Sequence, residues 1–231
     1  MCYHLSEISN PRKLARKLGK QLKIQFNDED FKPRYHVNGF ENPLVPVVAN
    51  ADPDYLRFFR WRLIPDWVQD IASFKANTLN AKCEELWEKP SYRNCWQNRC
   101  LVVCDGFFEP HVTDPKRPSE SYYITSPDNE PLTLGGIYSV YQGKPTFAIL
   151  TTEANEQMAE VHNEGQRMPV ILDEFSRDEW LKPDLSKEAM LHLCRPFEWE
   201  LNAFRTIDGV FNSRINTNVP EALLPISFLE N

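Results

Sequence analysis

The chain has 231 residues, of which 42% are hydrophobic and 12% aromatic, enough to bury a sizeable core as one large domain or two small ones. Its 33 acidic and 26 basic residues leave a net charge of −7, which argues against a protein that coats duplex DNA but not against a local basic groove. No charged segment leads into an apolar signal region and no apolar run is long enough to span a bilayer, so a cytoplasmic protein with mostly reduced cysteines is expected.

Near the N-terminus, "SNPRKLARKLGKQL" reads as a helix. Asn10 or Ser9 can cap it, Pro11 suits its first turn, and Leu14, Leu18 and Leu22 recur every four residues on the core side. Arg12, Lys13, Arg16, Lys17, Lys20 and Lys23 line the other side as a solvated face. "PLVPVV" and "YLRFFRWRLIP" read as strands, and "AKCEELWEK" as a short helix closed by Pro90. "RCLVVCDGFFE" is a buried strand running into a loop. "SYYIT", "LTLGGIYSVYQ" and "PTFAILTT" are further strands, the last two joined by a hairpin at "QGKP". "EANEQMAEVH", "DEFSRDEW" and "SKEAMLHLC" read as helices, "MPVIL" as an extended segment, and the tail as irregular with a strand near "ISFL". Hairpin-linked strands interrupted by helices predict an α+β fold with a largely antiparallel sheet. With no internal repeat and no Gly- or Ser-rich linker, one domain over residues 1–231 is expected.

Several residues carry candidate chemistry. Cys2 follows the initiator methionine, and small second residues usually let that methionine be clipped. The new terminus would then hold an α-amine and a thiol on one residue. In "DGFFEPH", Gly106 permits a bend and Glu109 follows two aromatics, whose desolvation raises a carboxyl pKa towards the acid–base range. Asn80 in "LNAKCEE" precedes the expected helix and taken alone reads as its cap; His162 ends a helix and taken alone reads as serving its dipole. Trp61, Arg62 and Trp67 lie close together in "WRLIPDW"; such aromatics belong to a core or, when exposed, stack unpaired bases. Cys95, Cys100, Cys104 and His111 match no common zinc spacing, and Cys100, Val102 and Cys104 share one strand face, which places them in the core.

Together, Cys2, "WRLIPDW", "NAKCE", "EKPSYR", "RCLVVCDGFFE" and "HNEGQRMPVIL", in that order, resemble the SOS-response-associated peptidase family, whose members cover abasic sites in single-stranded DNA. The resemblance runs from residue 2 to about 172 and implies a curled, barrel-like sheet with flanking helices. It carries the family's catalytic residues onto Cys2, Asn80, Glu109 and His162. The sequence departs from the family at Lys82, where an arginine is usual, at His4, at Pro110-His111 after the glutamate, and in "HVNGFENP". These departures bear on DNA grip more than on chemistry.

The resemblance also implies a mechanism. The amine of Cys2 would form a Schiff base with the C1′ aldehyde of an abasic sugar, and its thiol would close a thiazolidine, aided by proximity on one residue. An α-amine, with a pKa of about 8 against about 10.4 for lysine, has the larger neutral fraction. His162 would move protons, Glu109 would take the amine's proton, and Asn80 would hold the opened sugar or the Cys2 backbone. Arg62, Lys82, Arg93 and Arg167 would hold phosphates and Trp61 or Trp67 would stack a base. The expected partner is single-stranded DNA with an abasic site, or a single-strand/duplex junction, bound by a monomer without metal, organic cofactor or membrane. Self-removal of Met1 and strand cleavage at abasic sites are further implications. Two other classes stay open: an N-terminal-cysteine amidohydrolase or peptidase with a transient thioester, and a DNA-binding module of the same fold without crosslinking.

Overall fold

The computed structural model describes residues 2–18 and 31–229. Its strands are β1 His4–Glu7, β2 Arg34–Asn38, β3 Leu44–Ala49, β4 Leu56–Trp61, β5 Asn80–Lys82, β6 Arg99–Cys104, β7 Gly106–His111, β8 Glu120–Thr125, β9 Leu132–Tyr141, β10 Lys144–Glu153, β11 Arg167–Pro169 and β12 Asn202–Arg205. Its helices are α1 Pro11–Lys17, α2 Glu156–Val161, α3 Glu174–Trp180 and α4 Lys187–Leu193.

The strands form two sheets, and one of them closes. β10 pairs with β4, β4 with β3, β3 with β6, β6 with β9, and β9 back with β10. This ring of five strands is the expected barrel. The β9–β10 hairpin turns through Gln142 and Gly143, with φ of 48° and 75°, the left-handed pair that matches strand twist. β10 runs on past the ring and takes β11 antiparallel at residues 151–153 and β5 parallel at 149–151. The second sheet, ordered β12-β8-β7-β1-β2, is antiparallel throughout. The fold is therefore α+β.

The two sheets meet at β6 and β7, separated by Asp105 alone. Gly106 is required there, because a Cβ would come within 2.6 Å of the Ile124 carbonyl and the Tyr123 ring. Asp105 accepts from the backbone N–H groups of Ile8 (2.6 Å) and Ser9 (2.8 Å), tying the end of β1 to this corner. β6 is apolar on both faces because both are covered. Cys100, Val102 and Cys104 pack with Cys2, Leu5 and Phe107, while Leu101 and Val103 pack with Leu14 of α1 and Trp180 of α3. Among the described residues no cluster of His, Cys, Asp or Glu could hold a metal ion.

The helix at residues 11–17 starts as expected, with the Asn10 side chain accepting from Arg12 N–H and Pro11 in its first turn. Leu14 and Ala15 face inwards and Arg12, Lys13 and Arg16 outwards; Lys20, Leu22 and Lys23 lie outside the described residues. Three expectations need correction. "AKCEELWEK" is no helix: Asn80–Lys82 adds to β10 and only Cys83–Glu85 makes a 3-10 turn. The segment after Cys104 is strand β7 rather than a loop, because β1 and β8 flank it on both sides. The "ISFL" region is a 3-10 turn at Ile226–Phe228, and the late strand is β12 instead. The short strands β1 and β2 carry no periodic signal of their own and exist through pairing.

Candidate active site

β1 lies between β2 and β7, with His4 opposite Phe108 and Leu5 opposite Phe107. Continuing that antiparallel register sets Tyr3 opposite Glu109 and Cys2 opposite Pro110. Gly39 N–H donates to the Tyr3 carbonyl at 2.8 Å, and a Cβ on Gly39 would sit 2.9 Å from that oxygen, so a bare backbone lets the N-terminal segment lie close. Cys2 is fully buried. Burial, and then the negative charge of Glu109, push its thiol well above the usual range, so the sulfur is held as a neutral thiol.

Glu109 is fully buried on β7, and desolvation raises its carboxyl to about 7. His162 closes α2 as its C-cap, and the following turn folds back so that Gln166 N–H reaches the His162 carbonyl at 2.9 Å. Two distances fix the imidazole: Nδ1 is 3.0 Å from the Arg167 carbonyl and 3.6 Å from Glu109 Oε2. A carbonyl only accepts, so Nδ1 carries the hydrogen and Nε2 is the basic nitrogen of the neutral ring. Burial lowers this imidazole's pKa, which keeps it neutral at pH 7.

Two residues absent from the expected set hold this pair together. Asn163 accepts from Val112 N–H (3.0 Å) and donates to the Val112 carbonyl (2.8 Å), clamping the exit of β7 to the turn after α2. Gly165 lies under the imidazole, where a Cβ would come within 2.2 Å of Nε2. The run "NEG" reads in the sequence only as a turn. His111, a departure from the family pattern, places Nδ1 3.1 Å from the Glu160 and Val161 carbonyls and braces the same helix end.

Asn80 enters from the barrel. It is buried, opposite Ile149 of β10, and its carbonyl accepts from the Tyr92 hydroxyl at 2.9 Å. Burial raises the Tyr3 phenol, with hydrogen bonding by Asn77 and Asn80 offsetting part of the rise, so Asn80 adjoins the N-terminal segment. The structure thus brings the buried Cys2, Glu109 and His162 together and sets Asn80 next to them.

The expected DNA-contacting residues separate into three groups. Trp61 is fully buried, donates Nε1–H to the Leu79 carbonyl (2.8 Å) and stacks on Phe147. A base cannot reach its face; it is a core residue, and the stacking expectation for it is corrected. Trp67 is half exposed, donates to the Pro90 carbonyl (3.3 Å) and packs edge-on against Phe74. Arg62 reaches the same Phe74, donating to its carbonyl at 2.6 Å, while Arg93 is exposed beyond Pro90. Lys82 lies opposite Thr151 of β10 and Arg167 opposite Glu153, its guanidinium reaching back to donate to the Thr151 carbonyl at 2.7 Å; both are ion-paired, Lys82 with Glu85 at 2.9 Å and Arg167 with Glu84 at 2.9 Å.

The family model for SOS response associated peptidases (SRAP) matches residues 1–213. This chain belongs to the SRAP family. It is 30% identical over 212 residues to the abasic site processing protein YoqW of Bacillus subtilis, covering 86% of this chain and 92% of that one. It is 28% identical over 209 residues to the abasic site processing protein HMCES of Gallus gallus, covering 77% of this chain and 60% of that one. A crystal structure of a protein from Bacteroides thetaiotaomicron superposes with a TM-score of 0.86 at 29% identity, covering 97% of this chain and 99% of that one. In SRAP terms, Cys2 and its neighbours occupy the junction of the barrel and the second sheet. No helix among the described residues is long and apolar enough to cross a membrane.

Proposed function

We propose that this SRAP protein captures abasic sites in single-stranded DNA as a covalent adduct of Cys2, once Met1 has been removed. The α-amine attacks the C1′ aldehyde of the opened sugar, forming a C–N bond and releasing water as the imine forms. The thiol then adds across the imine: sulfur bonds to C1′, the thiol proton passes to nitrogen, and a five-membered thiazolidine closes. No electron is gained or lost and no cofactor is consumed.

The observation that carries this reading is the convergence of Glu109 and His162 on the residue that would bear both nucleophiles. A carboxyl with a pKa of about 7 can take a proton from the amine and return it to the departing hydroxyl. A neutral His162 with a basic Nε2 can relay the thiol proton. A buried neutral thiol is protected from stray oxidation and becomes useful only when the imine carbon is held against it. Asn80 is suited to hold the opened sugar hydroxyl. Arg62, Lys82, Arg93 and Arg167 are suited to phosphates and Trp67 to an unpaired base, which supports a single-stranded path.

The test is a denaturing gel after mixing the protein with a single-stranded oligonucleotide containing one abasic site. A shifted band that survives denaturation is expected for the wild type. Cys2→Ala should lose it with DNA affinity nearly unchanged, and Cys2→Ser should leave only a labile imine. An uncleavable residue inserted ahead of Cys2 should abolish it although the thiol remains. Undiminished crosslinking by Cys2→Ala would remove the reading.

A further inference from the structure

The C-terminal loop at residues 210–218 packs across β2 and the start of β1 and encloses, with them, a cavity of about 690 Å³. None of the four residues assigned to the chemistry lines it. Its base is a partly buried polar chain: His4 Nδ1 and His36 Nε2 share a hydrogen bond of 2.8 Å, and His36 Nδ1 shares one of 2.7 Å with Thr217 Oγ1. Burial holds both imidazoles far below their usual pKa, about 3 for His4 and about 4 for His36, so the base is uncharged at neutral pH.

The walls combine three chemistries. Phe40, 56% exposed, and Phe211 present apolar ring surface. Asn212 and Asn216 use their side-chain oxygens on the loop's own backbone, accepting from Arg214 N–H and Asn218 N–H at 3.1 Å each. That leaves their amide Nδ2 donors without a partner among the described residues. Arg214 is an exposed guanidinium with no ion-pair partner among the described residues, and Glu41 contributes a carboxylate acceptor. Flat apolar faces, amide donors, one acceptor and one free cation are together what a nucleotide needs. The rings take a base face, the amides and carboxylate take its edge, and the guanidinium takes a phosphate. An inorganic anion has no use for the rings, and the volume lies within the range of small-ligand sites.

The cavity is tied to the reacting residue. His4 lies two residues after Cys2, about 7 Å along a strand, and the Tyr3 ring between them packs on the Phe40 ring at 4.9 Å. We propose that this cavity binds one unpaired nucleotide of the DNA strand, next to the abasic nucleotide held at Cys2. The proposal rests on the abasic-site reading above, and it adds a subsite on the side of the N-terminal strand away from Arg167.

The experiment uses Ser213→Trp, which fills the cavity, and Arg214→Glu, which reverses its charge. Neither native side chain makes a hydrogen bond or ion pair among the described residues, so both variants should keep the wild-type melting temperature; if the tryptophan disturbs folding, Arg214→Glu stands alone. Binding is read by anisotropy in a Cys2→Ala background, so it does not depend on the covalent step. Three labelled single-stranded oligonucleotides carry the abasic site internally, at the 5′ end or at the 3′ end. The expected result is a loss of tenfold or more when one particular flank is missing, and the same loss in both variants on the internal site, with no further loss on removing that flank. Variants that bind all three oligonucleotides as the parent does would overturn the subsite while leaving the Cys2 chemistry untouched. Absence of any wild-type adduct would instead overturn the chemistry. A deoxynucleoside 5′-monophosphate should compete with the oligonucleotide in the parent and not in the variants. If it occupies the cavity without competing, the site takes a free nucleotide and the strand assignment fails.

Discussion

At the scale of single residues, the site depends on what burial does to three ionisable groups. Glu109, raised to about 7, is mostly protonated at pH 6 and mostly ionised at pH 8. If the carboxylate takes the amine's proton, adduct formation rises with pH through about 7. Glu109→Gln should cut the rate by roughly a hundredfold or more and move the remaining pH dependence towards the ordinary α-amine value near 8. The same shift affects stability. A carboxyl whose folded pKa exceeds its unfolded value contributes stability below about 4.5 that is lost as the pH rises through 7. Glu109→Gln cannot ionise, so its stability relative to wild type should improve by about 3 kcal/mol between pH 4.5 and 8, as urea titrations at the two pH values would measure. Gly165 offers a second test. Its backbone is not among the left-handed positions, so alanine fits the chain but collides with the imidazole of His162. Gly165→Ala should slow adduct formation tenfold or more with the melting temperature and DNA affinity nearly unchanged. An unaltered rate would mean that the orientation of His162 does not matter.

At the scale of elements, short strands do the positioning. β5 is three residues long, yet it carries Asn80 towards the N-terminal segment and Lys82 to the surface because β10 extends past the ring to receive it. The 3-10 turn that follows puts Glu84 and Glu85 where a longer helix would have carried them elsewhere. Both glutamates hold cations expected to meet phosphate. A phosphate must displace Glu84 from Arg167, and with the glutamate half exposed the pair is worth about 1 kcal/mol. Glu84→Gln should therefore tighten single-stranded DNA binding roughly two- to fivefold at low salt, read by anisotropy, with the gain shrinking as salt rises. Unchanged or weaker binding would take Arg167 off the phosphate path.

At the scale of the whole molecule, a net charge of −7 supplies no general attraction for a polyanion. On the proposed function, binding rests on Arg62, Lys82, Arg93 and Arg167 acting locally, with Trp67 and the proposed cavity over β1 and β2 accepting unpaired bases. The expected outcome is a clear preference for single-stranded DNA or a junction over intact duplex, with affinity falling as salt rises. Titrations of matched single-stranded and duplex oligonucleotides at two salt concentrations check this; equal affinity for the two would mean that stacking plays no part.

Much of this molecule is legible in the residues themselves. The apolar, β-branched runs of β3, β6, β9 and β10, the Asn10 cap with Pro11 behind it, and the Gln142–Gly143 turn follow from local steric, burial and hydrogen-bonding rules that act within a few residues. Cys2, Asn80, Glu109 and His162 stand out as candidates because their motifs are short and their order along the chain is specific. What the chain alone leaves open is set by groups that arrive from far away in sequence. Trp61 and Trp67 look alike in "WRLIPDW", and only the closing of the barrel against Phe147 makes one a core residue and leaves the other half exposed. Lys82-Cys83-Glu84-Glu85 has helical composition, but the free edge of β10 offered Asn80 and Ala81 backbone partners first. β1 and β2 have no pattern to read, because their stability comes from β7 and from each other. The pKa of Glu109 follows from how completely the two sheets exclude water around it, and exclusion of water is a property of the assembled fold rather than of any segment.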